Sequence, residues 1–197
     1  MSKSRLEAFS DGVLAIIITI MVLELHIPHG ADLAALKPLA PVFLSYVLSF
    51  IFVGIYWNNH HHTLQAVRRI SGGALWANLH LLFWLSLLPV VTGWMGANDF
   101  TRVPTALYGV VLLMSAIAYS ILCRSLIAAD GKQSLLLKAI GADRKARLSL
   151  ALYTAAIPLA FWNRWISQAL YVVVALLWLI PDRRIERLFN AQSNLAD

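Results

Sequence analysis

Residues 9–27 read Phe-Ser-Asp-Gly-Val-Leu-Ala-Ile-Ile-Ile-Thr-Ile-Met-Val-Leu-Glu-Leu-His-Ile. Asp11, Glu24 and His26 are the ionisable residues in an otherwise apolar or small run. Its length is close to the roughly 20 residues an α-helix needs to cross a hydrocarbon layer. Lys3 and Arg5 ahead of it would also suit a signal peptide. Asp11, Thr19 and Glu24 oppose a cleavable apolar core, so the run is read as a retained first span. The whole chain has the same character: its 197 residues are 59% hydrophobic and 13% charged, with mean hydropathy +0.69. Soluble domains carry about 45–50% apolar and about 25% charged residues. An ordinary soluble enzyme, a disordered chain and a secreted disulfide scaffold are thereby excluded, the last also because Cys123 is the single cysteine.

Further apolar stretches lie at 39–57, 74–94, 103–122, 148–162 and 165–180, which makes six expected spans in a single domain, 1–197. The last two are short and share a tight Asn163-Arg164 connection, so a re-entrant hairpin is the alternative there. Charge arbitrates the count. With the N-terminus inside, thirteen of the sixteen Lys and Arg residues fall on the cytoplasmic side, and Lys37, Arg102 and Arg164 fall outside. That is the asymmetry of the positive-inside rule, and a miscounted span would scramble it. The expected fold is an all-α membrane protein with six transmembrane helices per chain and both termini cytoplasmic. The net charge of +6 and pI near 9.8 then belong to inner loops beside membrane lipids, and no nucleic acid is expected as a partner. Residues 128–147 are expected to form a basic, partly helical loop, and 182–188 a basic amphipathic tail on the inner surface.

Polar residues within a bilayer are costly, so each marks function or inter-helix bonding. The inner ends of the first three spans bring Arg5, Ser10 and Asp11, then Trp57, His60 and His61, then Asn78 to a similar depth. An acid, an indole, imidazoles and an amide can satisfy one another there. The simplest reading is a hydrogen-bond cluster pinning three helices; a proton relay and a metal site are the sharper ones. Consecutive residues on a helix point about 100° apart, so His60, His61 and His62 cannot face one ion. His26 and His29 sit in an outer loop, residues 26–36, and are read as solvated.

The first span also carries a stripe. Ile16, Ile20, Leu23 and Ile27 follow one helical face, with Thr19 beside Ile16 and Leu23 and Glu24 near the outer end. Such a stripe is ordinary packing unless something else distinguishes it. Bracketed by Asp11 and Glu24 and holding a threonine, it is also the best pore-lining candidate in the chain. One helix cannot enclose a pore, so several copies would have to meet around a rotational axis. A ring of isoleucines could then close the path by dewetting.

The start of this span, Arg5-x-x-x-Phe9-Ser10-Asp11 running into Gly12 to Thr19, resembles the signature of the transmembrane protein 175 family. These are potassium channels of lysosomes and of prokaryotic membranes. Trp57-x-x-His60-His61 and Asn78 resemble the family as well, and the likeness covers the whole chain in length, span count and orientation. The resemblance implies a prokaryotic inner-membrane homotetramer, one six-span repeat per chain, with the first helix lining a central pore. It puts Ile16 at the family's gating isoleucine, Ile20 and Leu23 at further apolar rings, and Thr19 at a threonine linked to potassium preference. Arg5, Phe9, Ser10, Asp11, Trp57, His60, His61 and Asn78 would form an inter-helix network away from the pore. Ala15 stands where the animal first repeat has a serine, which thins the hydroxyl layer and implies modest selectivity.

The expected function is a potassium-permeable cation channel with Glu24 favouring cations at the outer mouth. No cofactor beyond the permeant ion, no metal and no soluble partner is expected. No T-V-G-Y-G filter and no series of regularly spaced arginines occurs in the chain. The alternative is a proton- or ion-coupled transporter using Asp11 and the His60/His61 cluster. A metalloenzyme and a scaffold are the remaining readings.

Overall fold

Ser2, in extended conformation, starts a helix that runs without interruption through the quoted stretch, α1 (Lys3–Leu23). In this computed structural model the described residues are 2–131, 134, 136–137 and 144–179, and their regular structure is all helical. Helix α1 begins further inward than the expected 9–27 and stops earlier. Glu24 is its C-cap, and Pro28 bars a further turn. Ile27 therefore lies beyond the helix and is 86% exposed.

Asp32 accepts a hydrogen bond from the Ala35 N–H at 3.1 Å and opens a short 3-10 segment, Leu33–Leu39. It leads directly into α2 (Ala40–Gln65), whose first turn holds Pro41, a position that needs no N–H. This helix passes the expected end at residue 57 because its polar continuation is bonded to its neighbours. Next come α3 (Gly72–Ser86), capped by the Ser71 hydroxyl on the Ala74 N–H at 3.2 Å, and α4 (Leu88–Ala97). These two make one span, broken at Leu87 because Pro89 has no N–H for the Leu85 carbonyl. Helix α5 (Arg102–Asp130) ends at Gly131, whose φ of +83° suits glycine. Asn163 alone separates α6 (Arg144–Trp162) from α7 (Arg164–Leu179). At about 1.5 Å per residue they rise about 28 Å and about 24 Å, each more than half of a hydrocarbon layer about 30 Å thick.

Among the described residues, four rods are long and apolar enough to cross a membrane: α1, the 3-10 segment with α2, α3 with α4, and α5; α7 is a shorter apolar helix. Helix α5 is the hub, packed against α3, α4, α6 and α7, whereas α1 rests on α2, α3 and α4. Without a hydrophobic drive between helices in lipid, close backbone approach and hydroxyl bonds hold such rods together. A Cβ on Gly96 would run into the Ser45 hydroxyl and stand 2.7 Å from the Val42 Cα, and one on Gly109 would run into the Tyr171 hydroxyl. Ser49 bonds Thr92 at 2.7 Å and Tyr108 at 3.0 Å, joining α2, α4 and α5, and the Tyr171 hydroxyl donates to the Thr105 carbonyl at 3.0 Å. At the end of the bundle where α1 begins, the Lys3 ammonium donates to the Gln65 and Val67 carbonyls at 3.3 Å each, and Asp130 accepts from the Arg68 N–H at 3.0 Å. The expected tail at 182–188 and most of the loop between α5 and α6 lie outside the described residues.

Candidate functional site

Helix α1 divides into two faces. Leu6, Ser10, Leu14, Ile17 and Met21 are buried against α2, α3 and α4. Gly12, Ala15, Ile16, Thr19, Ile20 and Leu23 face away from the protomer. Ile16 is 59% exposed, Ile20 44% and Leu23 76%. Ile16 and Leu23 stand about 10 Å apart along the axis, two helical turns. Between them the Thr19 hydroxyl donates to the Ala15 carbonyl at 2.9 Å. Its proton is thus committed to the helix, and its oxygen lone pairs remain available on the open face to a cation or to water. Glu24 is also exposed, but its carboxylate leans over α4, within 3.6 Å of where a Gly93 Cβ would sit. It belongs to the edge between faces and not to the stripe, because the helix has ended by that residue.

The packed face carries the polar cluster near the N-terminal end of α1. His60 Nε2 donates to Asn78 Oδ1 at 2.7 Å, Asn78 Nδ2 donates to Ser10 Oγ at 3.0 Å, and the Ser10 hydroxyl donates to the Leu6 carbonyl at 2.9 Å. All three side chains are buried, and they come from α2, α3 and α1. The direction matters. An amide in the middle and a backbone carbonyl at the end make a chain that fixes orientation, since neither is a ready proton carrier. Around it, towards the open side, Trp57 Nε1 donates to Asp11 Oδ1 at 3.0 Å. The ring of His61 stacks on Trp57, centroids 6.1 Å apart, and His61 is bonded to Gln65 at 2.8 Å. Arg5 and Phe9 are exposed and stand outside these bonds. His80 accepts from the Trp84 indole at 2.9 Å, so it is turned away from His61. His60 is bonded to Asn78 while the rings of His61 and His62 meet edge to face, centroids 5.7 Å apart, and among the described residues no group of three or more His, Cys, Asp or Glu could hold a metal ion.

The pattern matches a known family. The sequence profile of the endosomal/lysosomal potassium channel TMEM175 matches residues 5–89, which hold both the open stripe and the cluster. A protein from Chryseobacterium sp. (strain P1-3) named a potassium channel is 55% identical over 187 residues, 95% of this chain and 97% of that one. The chain belongs to the TMEM175 family. A Chamaesiphon minutus crystal structure, described as a lysosomal potassium-selective channel TMEM175 homolog, superposes with TM-score 0.77 at 26% identity, over 91% of this chain and 97% of the other. The human endosomal/lysosomal proton channel TMEM175 is 34% identical over 116 residues, 53% of this chain and 23% of the human protein. TMEM175 proteins are channels and not enzymes, and this member is a multi-pass integral membrane protein.

Sequence reasoning missed the hydroxyl joints at Ser49, Thr92 and Tyr108 and at Thr105 and Tyr171. The available signal was a serine or threonine placed on the buried side of an otherwise apolar span. It also missed a cavity of about 40 Å³ between α2, α5, α6 and α7, lined in part by Phe52, Tyr56, Tyr119, Tyr153 and Trp178. Those aromatics are scattered over four helices, and only Phe52 and Tyr56, four residues apart on α2, share a helical spacing.

Proposed function

We propose that the chain is the subunit of a cation channel through which potassium passes, assembled as a homotetramer around α1. The single observation that carries this reading is the open face of α1. Its inner neighbours are fully packed, while Ile16, Thr19, Ile20 and Leu23 face outward in one row. Four such rows around an axis make a narrow apolar throat, which closes by excluding water. Ile16 is the principal constriction, Ile20 and Leu23 are further rings, and Thr19 offers an oxygen within the throat. Glu24 acts from the rim as a negative charge that concentrates cations. Selectivity for potassium is modest, since one hydroxyl per subunit replaces a carbonyl filter. The buried His60–Asn78–Ser10 chain holds α1 at the angle that presents the row.

The test is flux into liposomes holding purified protein. Ile16→Asn wets the throat and raises potassium flux about tenfold or more, the change that follows from lowering a barrier by about 1.4 kcal/mol. Unchanged flux in an Ile16→Asn tetramer of normal mass would rule Ile16 out as the constriction. A second reading, proton movement through Asp11 and the His60/His61 cluster, is favoured by the exposure of Asp11 beside the stripe. Saturable flux that follows a pH gradient, with no potassium reversal potential, would replace the channel reading by a coupled transporter.

A further inference from the structure

At the end of the bundle opposite Lys3, the start of α5 and the α6–α7 connection enclose an open groove of about 510 Å³. Arg102 lines it from the start of α5, and Arg164 with Trp162, Asn163 and Trp165 lines it from the α6–α7 connection. We propose that this groove binds the headgroup of an anionic phospholipid in the outer leaflet, its phosphate held between the two guanidinium groups.

The groove contains no carboxylate, so its two cations meet no compensating charge. Among the described residues neither arginine has an acidic partner within ion-pair distance; Arg164 lies instead over the Trp165 ring, 5.3 Å from its centroid. Planar guanidinium groups suit bidentate contact with phosphate oxygens. Trp162 and Trp165 are 77% and 57% exposed, and indoles of this kind sit at the membrane–water boundary, at headgroup depth. A soluble anion would meet the arginines but would have no use for the indoles; a lipid meets both. Helices α5 and α7 also begin in this groove, and Thr101 offers no side-chain cap to the first turn of α5. The uncapped start of α5 adds a positive end that attracts phosphate, whereas the start of α7 is capped by the Asn163 side-chain oxygen on the Trp165 N–H at 3.0 Å and lies beside the negative end of α6 at Trp162. The site lies away from the pore-facing row, because α1 rests on α2, α3 and α4 while the groove belongs to α5, α6 and α7. Arg102 and Arg164 are two of the three basic residues expected outside. The groove therefore explains cations kept where charge asymmetry disfavours them. A bound lipid would bridge the α4–α5 and α6–α7 turns and hold the perimeter together.

The test uses the full-length protein in nanodiscs doped with phosphatidylglycerol, with bound lipid counted per subunit by native mass spectrometry and thermal midpoints read in parallel. Lys37→Gln removes one outer cation away from the groove and serves as the control. Arg102→Gln with Arg164→Gln is expected to weaken phosphatidylglycerol retention by about an order of magnitude, and Lys37→Gln to leave it unchanged. Before lipid is added, both variants should elute and melt close to the parent, since Arg102 is exposed and half-buried Arg164 has no acidic partner among the described residues. Three results would overturn the proposal. One is equal retention in the double variant, and another is an equal loss in Lys37→Gln. The third is a thermal shift from inorganic phosphate as large as that from phosphatidylglycerol, which would mark a simple ion site.

Discussion

Helices α1 and α5 share the same mean hydropathy, 2.1 over their most apolar windows, yet 28% of that window is buried in α1 and 50% in α5. Hydropathy reports that a helix lives in the membrane and says nothing about its neighbours. What separates the two is which residues are small or polar and where they fall. In α5, Gly109 and the Thr105 carbonyl admit Tyr171 against the backbone, and Ser115 and Ala118 lie buried. The hub helix is covered by its own chain. In α1, Ser10 alone of the buried residues is polar, and the opposite face meets nothing within the protomer. A face of that kind is available to other copies of the chain and to the path between them.

The comparison breaks most sharply at two adjacent residues. Ile17 is 3% exposed and Ile16 is 59% exposed. Asparagine at Ile17 would bury an amide with no partner, at a cost of about 2–4 kcal/mol. We expect Ile17→Asn to yield little folded protein by size-exclusion chromatography, and Ile16→Asn to fold normally and leak potassium. Similar yields from the two would mean that α1 has no true inner and outer face.

A smaller effect tests the hub. A Cβ at Gly109 meets the Tyr171 hydroxyl and stands 2.9 Å from its Cζ, with little room to yield because Tyr171 is itself fully buried. Gly109→Ala should cost about 1–3 kcal/mol, as overpacked cores do. The loss is read as a lower thermal midpoint by tryptophan fluorescence. Gly12→Ala adds the same methyl group on the open face of α1, where nothing lies within 4 Å in the protomer. It should not lower the subunit's stability, and helix propensity should raise it by up to about 1 kcal/mol.

Much of this was legible before any coordinates. Runs of apolar residues near span length pointed to an all-helical membrane chain, because backbone satisfaction in lipid leaves a helix as the natural choice for this composition, and among the described residues four rods are long and apolar enough to cross. Ser10, Asn78 and His60 could be brought to one depth by topology alone. The direction of their bonds could not, since it depends on how far each helix is rotated. The ends of the rods were misjudged where polar residues continue a helix beyond the apolar zone, as Asn58 to Gln65 do in α2. Glu24 shows the converse: periodicity extended the stripe through a residue at which the helix stops. The groove at Arg102 and Arg164 was invisible because its two halves lie some sixty positions apart, joined by the packing of α5 on α6 and α7.

The finest test contrasts two hydrogen bonds that belong to the same cluster. The Asn78 amide is fully buried between Ser10 and His60, whereas the Trp57–Asp11 bond lies at the exposed edge of α1. In a membrane interior the mean worth of such a side-chain bond is about 0.6 kcal/mol and the upper end about 1.7 kcal/mol. Asn78→Ala removes a donor and an acceptor at once, leaving buried His60 without its Asn78 partner and Ser10 with its bond to the Leu6 carbonyl, and should sit near that upper end. Trp57→Phe keeps an aromatic ring against His61 and releases Asp11 to water or to a neighbouring subunit, so its cost should stay below about 1 kcal/mol. If the cluster is a clamp, stability follows this order, and potassium flux falls in Asn78→Ala because α1 turns out of register. If it carried protons instead, both substitutions would suppress a pH-driven flux in equal measure whatever they did to the thermal midpoint.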